Sequence, residues 1–203
     1  MGRERKDPIE NQKPRNNPGM DVGGMLPFLP HLQDEDRVIY LASDINEYSI
    51  SNVIGQLFSL SKRDSKKPIY LVISSFGGDI YSMFALYDAM KFVKCPIHVS
   101  GFGKIMSAAV LILAAGHKGD RTIGANCRVM IHSISGVNMG NVFEQQNSIK
   151  EMKQLQKLME RRLSEETGQD TKTIRKIMKK GRDRHLTAKQ AKKLGIVDKI
   201  IGE

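Results

Sequence analysis

Apolar and polar positions along this chain switch repeatedly between the two periods that mark strands and helices. Arg37–Ala42 reads Arg-Val-Ile-Tyr-Leu-Ala, a β-rich run, and past Asp44 apolar residues recur at Ile50, Val53, Ile54, Leu57 and Leu60. The first pattern predicts a strand and the second a one-sided helix. Lys67–Ile73 predicts a second strand, apolar almost without a break, as strands buried on both faces of a parallel sheet are. A Ser-Ser-Phe-Gly-Gly turn leads into a helix carrying Met83, Leu86, Tyr87 and Met90. Pro96–Ser100 is a third strand, and the uncharged stretch after it, up to Gly116, supplies a third helix. Repeated β-α units of this kind predict an α/β fold with a mostly parallel sheet and right-handed crossovers.

The second half changes character. Arg128–His132 is a short strand that ends in a histidine, and Ser133–Gly140 is small and glycine-containing, compatible with an extended segment or a loop. Asn141–Thr167 predicts one long helix with Val142, Ile149, Met152, Leu155, Met159 and Leu163 along one side. At 1.5 Å per residue it would run about 40 Å. A helix that long projects beyond a small core, which suggests self-association. Asp170 caps a shorter helix. Thr187 and Gln190 form a capping box for a helix that Gly195 ends, and Ile196–Ile200 closes as a strand. No internal repeat is present.

Residues 1–24 are rich in Arg, Lys, Asn, Pro and Gly, so they cannot offset their ordering entropy by burial and are expected to be disordered or cleaved. Residues 25–203 are expected to form a single domain. It opens with the apolar, proline-broken strip Met25–Pro30, a lead-in or a docking strip. A 40% hydrophobic chain of 203 residues can bury a sizeable core. No window holds 18 uninterrupted apolar residues, which argues against a membrane span, and the N-terminus lacks the apolar core of a signal peptide. A cytoplasmic location follows as the expectation. Cys95 and Cys127 show no metal-type spacing and read as reduced, buried thiols.

Charge is uneven. Of a net +10, residues 150–199 carry +9, from 16 Lys/Arg against 7 Asp/Glu. Either a nucleic-acid surface or a solvated helix face has this signature. Aromatic residues are sparse there, so no stacking platform is evident and the solvated face is the reading preferred.

Chemistry concentrates around Ser107, which follows Gly101 and Gly103 and precedes a small, apolar run. Gly77-Gly78 sits at a strand-to-helix turn, where ligands bind in α/β sheets and where consecutive glycines can aim N–H groups at an anion. A nucleotide-binding loop is excluded, because Ile105 follows Gly103-Lys104 and His98 stands where that loop needs glycine.

Together these motifs carry a specific resemblance. The Gly77-Gly78 turn, Gly103-x-x-x-Ser107 with Ala114-Ala-Gly116, Arg128–His132, and Arg182-Asp183 through Ala188 to Leu194–Asp198 resemble the ClpP family, the serine-peptidase subunits of the Clp proteases. The similarity runs from Asp34 to Ile200. Aligning from Gly101 would put Ile105 in the nucleophile's place. Aligning from Gly103 puts Ser107 there and also fits Gly77-Gly78 and His132.

The resemblance implies a ClpP/crotonase-like fold with a long projecting handle helix. It implies Ser107 as nucleophile, His132 as base, Asp183 as the group orienting the imidazole, and an oxyanion hole from the N–H groups of Gly78 and Ala108, with Gly77 nearby. Small residues after Gly136 would form the strand that receives an extended peptide. No cofactor or metal is expected on this chain, and ATP would be used by a partner AAA+ unfoldase. Heptameric rings, stacked into a tetradecamer, would enclose peptide or unfolded-protein substrates. His117 and His185 have no such partners, and Lys104 is the alternative base of a Ser-Lys dyad.

The sequence also departs from the family. Gly181 stands where an acidic residue often contributes to ring contact, and Val72 replaces an aromatic of the unfoldase-docking cleft. Phe76 and Asp79 replace the more usual proline and serine around Gly-Gly, no axial hairpin is recognisable in Met1–Gly24, and Asp183 lies two residues further from His132. A phage-encoded or accessory variant is one setting that fits. A non-catalytic structural subunit, a basic nucleic-acid-binding scaffold and a CoA-thioester enzyme of the crotonase type are the rival readings.

Overall fold

One long strand takes a single partner along one side and two in succession along the other, and that arrangement builds the sheet. The computed structural model describes residues 37–137, 139–178 and 183–203. The expectations for residues 1–24 and 25–30, and for Gly181 and Arg182, lie outside the described residues. Strands β1 (Val38–Leu41), β2 (Ile69–Ser75) and β3 (Ile97–Met106) pair in parallel, with β4 (Thr122–Gly124) and β7 (Lys199–Ile201) continuing the order β1-β2-β3-β4-β7. β5 (Arg128–Ile131) pairs parallel with the second half of β3, and β6 (Arg184–Leu186) pairs antiparallel with β5. The architecture is the α/β fold with a mostly parallel sheet expected from the pattern.

The helices follow their stripes. α1 (Glu47–Arg63) is opened by a capping box between Asn46 and Ser49 and buries Ile50, Val53, Leu57 and Leu60. α2 (Ile80–Phe92) buries Met83, Leu86, Tyr87 and Met90, the residues its period singled out. α3 is only Ala109–Ala114, and all six side chains are buried. α4 (Val142–Thr167), capped by Asn141, α5 (Thr171–Met178) and α6 (Ala188–Lys193), capped by Thr187, complete the chain.

Several expectations need correction. Gly101–Met106 is not helix. It extends β3, because the ladder to β2 skips from Ile73↔Gly101 to Ser75↔Ile105, so two extra residues bulge on β3 with Gly103 at φ 64°. β4 and β6, of three residues each, escape any pattern and exist through their ladders. β2 is not buried on both faces. Its residues alternate, and Tyr70, like Tyr40 and Phe102, stays on an open face.

Arg121 ties four segments together. Its guanidinium is 5% exposed and donates to both oxygens of Asp198, at 2.9 and 2.6 Å, and to the carbonyls of Ala114 and Glu166. These hydrogen bonds hold the Asp198 carboxyl down at a pKa of about 2, against the opposing effect of its partial burial. Nearby, Glu166 is buried beneath Tyr87, whose hydroxyl donates at 2.8 Å, and Lys91 at 2.7 Å. Burial and that carboxylate push the Tyr87 phenol upward. Cys95 and Cys127 are free and buried, and burial lifts the Cys127 thiol to about 11. Among the described residues no helix is long and apolar enough to cross a membrane.

Because Asp198 titrates lower in the fold than in the unfolded chain, its contribution is complete above pH 5 and is lost as pH falls towards 2. Asp198→Asn should remove about 2 kcal/mol of stability at neutral pH. It should also flatten the acid limb of the thermal midpoint measured from pH 5 down to 2.

Candidate active site

β2, β3 and β5 end side by side, and the register decides what meets there. Met106 of β3 pairs with Met130 of β5, so Ser107, one residue on, and His132, two residues on, leave adjacent strand ends. The Ser107 N–H donates to the Met130 carbonyl at 2.8 Å, closing the pair. Ser107 then turns at φ 54°, a left-handed conformation that costs a serine about 1–3 kcal/mol and lifts its side chain out of the strand line. Its Oγ lies 2.7 Å from His132 Nε2.

Asp183 reaches the other side of that imidazole. β6 runs antiparallel to β5 with Ile131↔Arg184, so the next pair outward is His132 opposite Asp183. Asp183 Oδ1 stands 3.5 Å from His132 Nδ1, within ion-pair reach but longer than a good hydrogen bond, and the carboxylate side chain is 58% exposed. If Ser107 donates to Nε2, the remaining imidazole proton sits on Nδ1 and faces Asp183. The pairing is set by the register of β6 on β5, not by the number of residues between His132 and Asp183 along the chain.

The glycine turn forms the opposite wall. A Cβ on Gly77 (φ 94°) would meet Met106 O at 2.6 Å and Ser107 Cβ at 2.8 Å, so only a glycine lets this turn lie against the serine. Gly78 (φ 145°) packs its α-carbon onto the Ile45 carbonyl. Ser75 Oγ accepts the Gly77 N–H at 3.0 Å. Among the described residues neither the Gly78 nor the Ala108 N–H donates to a backbone carbonyl. Asp79 caps α2 through Ser82; its partial burial is outweighed by hydrogen bonds from Ser82 and its neighbours, so the carboxyl titrates low.

Ser107, His132, Gly78 and Ala108 border one cavity of about 180 Å³, which Ile134, Met159 and Met178 also line. Ile134 and Met178 escape sequence reasoning, although Met159 lies on the stripe of α4. The strand expected after Gly136 is not seen among the described residues: residues 132–137, 139 and 140 carry none. Lys104 is turned to Phe76, its Nζ 4.0 Å from the ring centre. His117 is exposed and stacks on His98 at 6.0 Å, and His185 is exposed on β6. Among the described residues no group of three or more His, Cys, Asp and Glu side chains is arranged to hold a metal ion.

Comparison with known proteins places the chain in a family. The profile of the Clp protease family matches residues 31–203. The chain belongs to the Clp protease family. It is 37% identical over 169 residues to the ATP-dependent Clp protease proteolytic subunit 1 of Mycolicibacterium paratuberculosis, covering 82% of this chain and 79% of that protein. Proteolytic subunit 2 of Mycobacterium leprae is 37% identical, over 82% of this chain and 78% of its own length. Proteolytic subunit 3 of Nocardia farcinica is 36% identical, over 82% and 75%. As a member of this family the chain is a peptidase subunit by descent.

Gly78→Ala should be the most damaging small substitution at this turn. It combines roughly 1–3 kcal/mol of backbone strain with a methyl driven into the Ile45 carbonyl. A thermal midpoint lowered by several degrees would bear this out, and an unchanged midpoint would refute it.

Proposed function

We propose that the chain is a catalytically competent serine endopeptidase subunit, acting on peptides and unfolded proteins inside a chamber built from copies of itself. The observation that carries this is the 2.7 Å contact between Ser107 Oγ and His132 Nε2, with Asp183 on the far side of the ring. His132 takes the serine proton as Oγ attacks the peptide carbonyl, then returns it to the leaving amine. Asp183 stabilises the imidazolium. The Gly78 and Ala108 N–H groups receive the oxyanion, a contribution of about 3 kcal/mol per donor. The apolar wall of Ile134, Met159 and Met178 suits an uncharged side chain of the substrate beside the scissile bond.

Assembly is supported by what a single chain leaves open. α4 has 26 residues, and its buried apolar side chains all lie from Leu155 onward. Val142 and Phe143 at its start are 65% and 76% exposed, and Met139 just before it is 84% exposed. Among the described residues nothing fully covers the face of the sheet with Tyr40, Tyr70 and Phe102 either, whereas parallel sheets are normally covered on both faces. In this reading α4 is the handle that joins two heptameric rings, an AAA+ unfoldase supplies substrate at the expense of ATP, and the chamber is cytoplasmic. The chain itself needs no cofactor. The basic stretch is partly neutralised by pairs such as Arg162–Glu165 and Lys199–Asp120, in keeping with a solvated surface rather than a nucleic-acid site.

The exposed, loosely held Asp183 favours one alternative, a structural subunit whose catalytic groups are completed only beside an active homologue. A fluorophosphonate probe separates the two. The purified assembly should label at Ser107 and cleave short fluorogenic peptides, with both lost in Ser107→Ala rings that still sediment normally. Asp183→Asn should lower kcat by roughly 10²–10⁴. Labelling that appears only when a catalytic homologue is added would establish the alternative.

A further inference from the structure

Ile134 and Ser135 border the cavity beside Ser107, yet the segment they belong to has no strand neighbour. Two side-chain contacts hold it. Ser133 Oγ donates to the Met178 carbonyl at the end of α5, at 2.7 Å, and the Ile134 N–H donates to Gln156 Oε1 on α4, at 2.8 Å.

The second contact is the first link of a longer relay. With its oxygen committed to Ile134, the Gln156 amide must present its nitrogen elsewhere, and Nε2 donates to Glu160 Oε1 at 3.0 Å. The other oxygen of Glu160 accepts from Arg175 Nε of α5 at 2.8 Å. Glu160 is 4% exposed, and a carboxylate so placed is retained only where it is paired and hydrogen-bonded. Both of its oxygens are engaged here. The direction of the chain is therefore fixed from end to end: cation, carboxylate, amide, backbone N–H. Reversing the Gln156 amide would set its oxygen against Glu160 and its nitrogen against the Ile134 N–H.

We propose that Gln156, backed by the Glu160–Arg175 pair, is a positioning residue that holds residues 133–135 as the wall along which an extended peptide docks. The inference deepens the peptidase reading above and rests on it. A second cavity of about 610 Å³ lies against the same segment, bordered by Ile134, Met152, Gln156 and Glu160. Cavities border this segment on both sides, and while Ile134 packs against the core, the relay fixes where its backbone N–H points.

Gln156→Met keeps the length and bulk of the side chain and removes its hydrogen bonds to Ile134 and Glu160, together with the weak one from Nε2 to Met178 Sδ at 3.7 Å. It should raise KM for an extended fluorogenic peptide about tenfold, the factor expected when a hydrogen bond is lost and a buried N–H is left unmade, with kcat changed less than KM. Fluorophosphonate labelling of Ser107, which needs no docked peptide, should keep its rate within about twofold of the unsubstituted protein. Arg175→Ala should show the same split, and Arg175→Lys should restore most of the KM. Sedimentation checks that each variant still assembles. An unchanged KM in Gln156→Met overturns the proposal. So does a labelling rate that falls in parallel with kcat/KM, since the damage would then lie in the Ser107–His132 pair itself. If the unsubstituted protein neither labels nor cleaves, it is the peptidase reading that fails, and the two failures are told apart.

Discussion

The length of β3 is the constraint on which the rest of the structure depends. Its first half pairs with β4 at Ser100 and Gly101, and its second half pairs with β5 from Lys104 to Met106. The bulge between these halves changes the ladder to β2 by two residues, so the ends of β2, β3 and β5 fall together. Without that offset the Gly77-Gly78 turn would not lie against Ser107, and the close approach to Met106 O and Ser107 Cβ would disappear. A side chain at the end of a strand is placed by every ladder bond behind it. For that reason the serine and the histidine, 25 residues apart in sequence, meet at 2.7 Å.

Two kinds of electrostatic contact divide the molecule. At one end, Arg121 and Asp198 form a bidentate pair with further carbonyls filling the guanidinium, and the pair is well shielded from water. Such a pair fixes β7 to the segment before β4. At the other end, His132 and Asp183 stand 3.5 Å apart with the carboxylate largely in water. Solvent screens that attraction strongly, so it contributes little to stability. In the proposed mechanism it serves to orient an imidazole, which requires only that β6 keep its register on β5. The strong pair stabilises the scaffold, and the weak one is left adjustable at the site.

Much of this was legible because local chemistry and tertiary structure agree. The stripes of α1 and α2, and the capping residues Asp170 and Thr187, act within a few residues and read directly. β4 and β6 did not read, because three residues carry no period and their stability comes from the partner strand. The extension of β3 through Gly101–Met106 was hidden for a related reason. Glycines at a bulge and glycines at a helix start look alike in a linear sequence, and only the ladder to Ser75 and Val129 separates them. Tyr70 made β2 look buried on both faces, since an aromatic side chain suits a core and a covered surface equally. Ser107, His132 and Asp183 were legible through family resemblance. Gln156 was not, because a polar residue on a basic helix reads as solvent-facing until the backbone N–H it serves is seen.

α4 links the two scales of the molecule. Its second half is sealed into the core by Leu155, Met159 and Leu163, while its first half carries apolar side chains in the open. Met159 borders the cavity beside Ser107, and Gln156, one turn earlier, holds Ile134. An uninterrupted helix transmits displacement along its axis, because each turn is fixed to the next by backbone hydrogen bonds. Restraint applied to Val142 and Phe143 by any partner therefore also restrains the point from which Gln156 reaches the wall of the site. The same element thus leaves apolar side chains exposed at its start and borders the cavity beside Ser107 further along, so under the proposed function assembly and peptide docking would share one helix.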